Sequence, residues 1–156
     1  MKLFDMTLPS VQGHCDVPCG IYDPATAQIA AHSVARFLDQ IAELPEGSLD
    51  RAAQARLARL VSQKEAHAAE VKAAVVVIWG DYFKAPQFEA HPSLHELTHS
   101  ILLTASACKQ EIDPANGRKL VDLVNDFAEI FWQTKDVDTE RVVAKYAPNL
   151  EIVRPR

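Results

Sequence analysis

At 156 residues and 48% hydrophobic, the chain is long enough for one domain with its own core. A net charge of −5 without a basic run speaks against nucleic acid or an anionic membrane surface as partner. No stretch approaches the ~20 apolar residues of a membrane span, and "MKLFDMTLPSVQG" (1–13) lacks the apolar centre of a secretory signal, so a reducing, cytoplasmic setting is expected. There cysteines serve metal or redox chemistry more readily than disulfides.

The first element expected is a helix opened by Asp23-Pro24, aspartate as N-cap and proline at the first helical position. Ala30, Val34, Phe37, Leu38, Ile41 and Leu44 share one face of it, and "LPEGS" (44–48) stops it. A longer helix carries Leu57, Leu60, Val61, Ala68, Val71, Val75 and Ile78 toward "WGDYFKAP", where Gly80 and Pro86 end the pattern. A third follows Pro92 with Leu94, Leu97, Ile101, Ala105 and Cys108 in line. The fourth repeats the opening signal at Asp113-Pro114 and aligns Leu120, Leu123, Val124, Phe127, Ile130 and Phe131. Helical spacing throughout, without strand alternation, gives an all-α fold: an antiparallel, up-down four-helix bundle. The tail after Val137 reads as a surface strap with a short helix near Arg141 to Tyr146.

Three features bear on chemistry. Cys108 lies on the apolar face of the third helix and reads as a small core hydrophobe. "HELTH" (95–99) matches the zinc-protease pattern, with His95 and His99 as ligands and Glu96 as base. Against it, Ser93 and Glu96 read as a capping box, Leu102 and Ala105 break the extended motif, and the third ligand falls to Glu111 or Glu129 without a motif of their own. The remaining feature is "GHCDVPCGIYDP" (13–24), which holds two of the three cysteines beside a histidine. Cleavage between Gly13 and His14 would expose an amine on His14. With the Cys15 amide nitrogen and the thiolates of Cys15 and Cys19, that amine completes a planar N2S2 set and leaves the imidazole for an axial position. Such donors suit nickel(II), and anionic sulfur favours a higher oxidation state. Pro18 stiffens the loop and Gly20 permits the turn after it.

"HCDVPCGIYDP" resembles the nickel-binding hook of the nickel superoxide dismutase family. "WGDYFKAPQFE" (79–89), "DPANGRK" (113–119) and "IFWQTK" (130–135) also resemble that family at matching spacing. The resemblance implies the four-helix bundle, one nickel ion per subunit, and a homohexamer, to which "DYF" and "IFW" would lend contacts. It implies dismutation of superoxide to dioxygen and hydrogen peroxide through a Ni(II)/Ni(III) couple. His14 would supply the amine and axial imidazole, Cys15 thiolate and amidate, and Cys19 the second thiolate; Val17-Pro18 would be cis. Tyr22 and Tyr82 would lie near the vacant axial side, and Asp16 would bond within the hook. A maturation protease would remove residues 1–13, leaving a hook-and-bundle domain (14–135) and an extension (136–156).

The sequence departs from the family at two places. Ala30 stands at the position of a glutamate that bonds the hook histidine, and His67 at that of its arginine partner. His67, or else His32 or Glu65, is the expected replacement partner for His14. Because superoxide is an anion and the chain acidic, Lys84 is the expected steering charge. Two other readings differ in kind: a nickel-storage or delivery protein that uses the hook without turnover, and a zinc protease that uses His95, Glu96 and His99.

Overall fold

The computed structural model describes residues 19–156. The helices are α1 (Ala25–Ala42), α2 (Arg51–Val77), α3 (Ala85–Ala90), α4 (Leu94–Gln110) and α5 (Pro114–Gln133), followed by strands β1 (Thr139–Val143) and β2 (Glu151–Pro155). Packing of α1 on α2, α2 on α4, α4 on α5 and α5 on α1 closes the ring of a four-helix bundle, as expected. Aspartates begin α2 and α5. Asp50 Oδ1 accepts from the Ala53 amide at 2.8 Å and Asp113 Oδ1 from Ala115 at 2.9 Å, each satisfying an amide that lacks an intrahelical partner.

The core lies between the helices and includes Leu38, Val71, Val75, Ile101, Leu120, Phe127 and Phe131, each fully buried. The buried side of α1 is mostly small: Ala27, Ala30, Ala31, Val34 and Ala35 are at most 1% exposed. Small side chains let α5 come close, and Gly117 marks the nearest approach. A Cβ there would lie 2.8 Å from the Ala35 Cα and 3.0 Å from a Leu38 methyl.

A lysine sits among the apolar side chains. Lys64 is 1% exposed, and its ammonium donates to the carbonyls of Cys108 (2.6 Å), Lys109 (2.7 Å) and Glu111 (2.9 Å). These carbonyls end α4, where the helix dipole is negative and no intrahelical donor remains, so α2 caps α4 from the side. Burial pulls the Lys64 pKa down, opposed by the Glu65 carboxylate.

Three expectations are corrected. The tail forms an antiparallel hairpin, with Val142 paired to Ile152, in place of a helix near Arg141 to Tyr146. Val142 and Val143 favour extended backbone. Arg141 reaches α5 from it, with Nε to Glu129 and Nη2 to Asp126 both at 2.6 Å, which drives its pKa up. Inside this clamp, Asn125 donates to Glu151 O (2.8 Å) and accepts from the Val153 amide (3.2 Å) and from Gln28 (3.1 Å). The hairpin is thereby fastened to both α1 and α5. Second, Pro86 opens α3 as well as ending the preceding pattern. Third, Ser93 makes no capping bond: its own backbone is helical (φ −78°, ψ −6°), whereas a side-chain N-cap needs extended backbone, so the Ser93-Glu96 box does not form.

Gly117→Ala sets two effects against each other. Alanine gains about 1 kcal/mol of helix propensity, but its methyl would meet α1 backbone, and overpacking costs about 1–3 kcal/mol. Urea unfolding should therefore show a lower midpoint; an unchanged or raised midpoint would mean that α1 and α5 part easily.

Candidate metal centre

His14, Cys15 and Asp16, with the Val17-Pro18 bond, lie outside the described residues, which begin at Cys19. Cys19 is exposed. Gly20 follows in the left-handed region (φ +68°), which a side chain would resist, and it turns the chain as the sequence suggests. Tyr22 is half-buried and packs on the core, its ring 5.6 Å from that of Tyr82. Asp23 Oδ1 then accepts from the Ala25 amide at 2.7 Å and starts α1. The segment leaving Cys19 is thus held by a helix cap and an aromatic pair. A groove of about 420 Å³ beside it is lined by Ile21, Tyr22, Thr26, Glu70 and Val77.

Tyr82 reaches Tyr22 because α2 ends in a π-helical turn, Ile78–Tyr82, closed by the Phe83 amide on Ile78 O at 3.1 Å. One extra residue per turn rotates the side chains that follow, as such turns often do at functional sites. Phe83 is driven into the core at 1% exposure, and Tyr82 lies across Phe131 with centroids 4.8 Å apart. The Tyr82 hydroxyl is 2.8 Å from Thr134 Oγ1, and the Lys135 ammonium stands 4.9 Å from its ring centroid, within cation–π reach. Sequence reasoning missed Thr134 and Lys135 as neighbours of Tyr82; their only signal was membership in "IFWQTK". Lys84 is exposed, with Nζ 3.3 Å from Gly80 O.

The candidate partners of His14 have other engagements. His67 Nδ1 lies 2.8 Å from Gln63 O in its own helix, and the ring packs edge-on against Phe37. His32 is 2% exposed; its Nε2–H donates to Glu151 O in the hairpin at 3.1 Å, and burial pushes its pKa down. Glu65 is exposed, and Ala30 is buried in the α1 seam.

The zinc-protease alternative loses its ligands. The Trp79 indole N–H donates to His95 Nδ1 at 3.1 Å, so a neutral His95 carries its hydrogen on Nε2 and has no lone pair left for a metal. Its ring is also stacked on Phe88 at 4.1 Å. Glu111 accepts from Asn116 at 2.8 Å and Glu129 is held by Arg141. Among the described residues, no group of three His, Cys, Asp or Glu side chains gathers to hold a metal. The donor set that does suit one is the hook's own: thiolates of Cys15 and Cys19 with nitrogen from His14 and the Cys15 amide match a square-planar nickel preference.

Comparison with known proteins bears out the family resemblance. The profile of a family described as nickel-containing superoxide dismutase matches residues 9–135. The chain is 43% identical over 126 residues to "Superoxide dismutase [Ni]" of Streptomyces coelicolor, covering 81% of this chain and 91% of that one. It is 41% identical over 125 residues to the Streptomyces seoulensis protein of the same name, covering 80% and 90%. Among solved structures, a native nickel superoxide dismutase superposes with a TM-score of 0.69 at 42% identity, covering 79% of this chain and 99% of that one. A nickel-containing superoxide dismutase with nickel ligation corresponding to the oxidized state superposes at 0.70 and 41% identity, with the same coverage.

Cys108 stands apart from the hook. It is fully buried, as the helical pattern implies, and burial pushes its thiol up to about 11, so it stays protonated at physiological pH. Only the thiolate reacts with alkylating agents. In nickel-free protein at pH 8, iodoacetamide should modify Cys19 and spare Cys108 until urea unfolds the chain, as read by peptide mass spectrometry; rapid native labelling of Cys108 would contradict its burial.

Proposed function

The chain belongs to the nickel-containing superoxide dismutase family, and from that membership we propose how its own residues carry out the reaction. It is an oxidoreductase that converts two superoxide ions and two protons into dioxygen and hydrogen peroxide, with nickel as cofactor. Nickel, when bound, supplies a Ni(II)/Ni(III) couple that accepts one electron and returns one, and thiolate and amidate donors bring that couple into range.

His14, Cys15 and Cys19 hold the ion in this proposal. The observation that carries the assignment is continuity: "HCDVPCGIYDP" runs through the exposed Cys19 and the left-handed Gly20 into Tyr22, which rests on Tyr82. Gly13 acylates the nitrogen required of His14, so cleavage of the Gly13-His14 bond by a maturation protease makes the site competent. Asp16 bonds within the hook and orders it. Tyr22 and Tyr82, their rings paired at 5.6 Å, present phenol oxygens to the small oxygen species.

The subunits assemble as a homohexamer in the cytoplasm in this reading. No helix among the described residues is long and apolar enough to cross a membrane. Support for assembly comes from Ile21, Ile29 and Val76, which are 76%, 59% and 42% exposed near the start of α1 and the end of α2. The aromatic contacts expected from "DYF" and "IFW" are less available, since Phe83 and Phe131 are core residues.

A chain trimmed to begin at His14 and loaded with nickel should accelerate superoxide decay and show a rhombic Ni(III) paramagnetic signal with nitrogen hyperfine splitting. Cys19→Ser should lose both. Bound nickel without turnover in the trimmed wild type would instead indicate storage, and activity persisting in Cys19→Ser would refute the ligand assignment.

Steering by Lys84 has its own signature. Lys84→Glu should lower the second-order rate constant by about threefold to tenfold at low salt, with the deficit shrinking as ionic strength approaches ~0.5 M. A salt-independent deficit would remove Lys84 from the steering field.

A further inference from the structure

Packing fixes where the Tyr82 ring lies. Phe131 is 4.8 Å away, Phe83 5.2 Å and Tyr22 5.6 Å between centroids, and the Lys135 ammonium approaches to 4.9 Å. None of these contacts sets the rotation of the phenolic hydrogen, yet that rotation decides whether the hydroxyl gives or receives a hydrogen bond. The residue that settles it is Thr134, at the C-cap of α5.

Thr134 Oγ1 lies 2.7 Å from Phe131 O and 2.8 Å from the Tyr82 hydroxyl oxygen. A threonine hydroxyl has one hydrogen to donate, and a carbonyl can only accept. The Thr134 hydrogen therefore goes to Phe131 O, one of the carbonyls left over at the end of α5. Toward Tyr82 the same oxygen can act only as acceptor, so the phenol hydrogen points to Thr134. The lone pairs of Tyr82 are then what remains for other partners.

We infer that Thr134 is a positioning residue for the dismutation: by taking the Tyr82 phenol hydrogen, it presents Tyr82 to the reacting species as a hydrogen-bond acceptor. This rests on the reading that Tyr82 borders the nickel site. A phenol held this way receives O–H groups, those of water, of a protonated superoxide or of the hydrogen peroxide product. It does not surrender its proton. The phenol hydrogen stays engaged with Thr134, and the two protons of hydrogen peroxide come from solvent. Carbonyl and threonine together thus convert an unsatisfied helix end into a directional constraint on a tyrosine that belongs to a different helix.

The test compares trimmed, nickel-loaded Thr134→Val, Thr134→Ser, Tyr82→Phe and the double variant Tyr82→Phe/Thr134→Val. The rate constant for superoxide decay is measured across pH, beside thermal unfolding. Losing one oriented neutral hydrogen bond should lower the Thr134→Val rate about threefold to tenfold, and Thr134→Ser, which keeps the hydroxyl, should restore it to within about twofold. Because Thr134 acts through Tyr82, the double variant should be no slower than Tyr82→Phe alone. Should Thr134→Val fold poorly, Thr134→Ala poses the same question without the branched methyl. Multiplying effects in the double variant, or a silent Thr134→Val beside an impaired Tyr82→Phe, would overturn the inference and leave the Tyr82 assignment standing. An unimpaired Tyr82→Phe would overturn both.

Discussion

The bundle depends on how closely its other helices can approach α1. That helix packs against both α2 and α5, and its buried side includes Ala27, Ala30, Ala31 and Ala35. Small side chains bring backbones together, so the seam tolerates little variation: at Gly117 even one methyl would meet α1 backbone at 2.8 Å. Close packing converts a helix into a fixed datum. The consequence reaches the site, because the segment leaving Cys19 is the direct N-terminal continuation of α1. With α1 fixed, Asp23 caps it and Tyr22 meets Tyr82.

Polar groups in the interior act as pins rather than as general stabilisers. A buried ammonium is costly to desolvate, and Lys64 is tolerated because its three hydrogen bonds meet carbonyls that α4 could not otherwise satisfy. Asn125 and Gln28 do similar work for the hairpin, completing bonds from its backbone and holding it across α1 and α5. His32 belongs to that second set, and its burial pushes its pKa down. The hairpin lies beyond residues 9–135, the part that the family profile matches, yet it is packed as core, with Val153 2% exposed. Residues 136–156 are thus integrated into the bundle rather than laid over it.

Function asks for opposite properties within a short distance. In the proposed site the ligands have to close around an ion, while the residues proposed to meet the oxygen species have to be held still. The fold separates these tasks. The proposed hook donors follow one another in sequence, so chelation by them would need little loop closure. Tyr82 is held by a π-helical turn, a threonine, a lysine and the aromatic core. A net charge of −5 is unfavourable for an anionic substrate, which is why a local cation, Lys84, is proposed to steer it.

Short-range features are legible in the amino-acid sequence. The helix starts at Asp23-Pro24 and Asp113-Pro114 depend on bonds between near neighbours, and the apolar spacing of α4 and α5 is an intrinsic helical period. The proposed nickel donor set is equally local, four donors from three residues in a six-residue run, which is why it can be proposed from the sequence. Other features are not legible there because they arise from contacts far apart in the chain. Lys64 falls in step with Leu60, Ala68, Val71 and Val75 on the buried face of α2, but only the arrival of α4 supplies its acceptors. The hairpin leaves no strand signal because its buried residues, Ile152 and Val153, are adjacent rather than alternating, and because its partners are Asp126 and Glu129 on α5. "HELTH" has the spacing of a metal site, and tertiary packing removes it by bringing Trp79 to His95. Sequence by itself determined the helices and the metal chemistry, since both are written in short-range spacing. Tertiary structure decided which polar groups are satisfied, where Tyr82 lies and what the tail becomes, since those depend on partners that the chain meets only when folded.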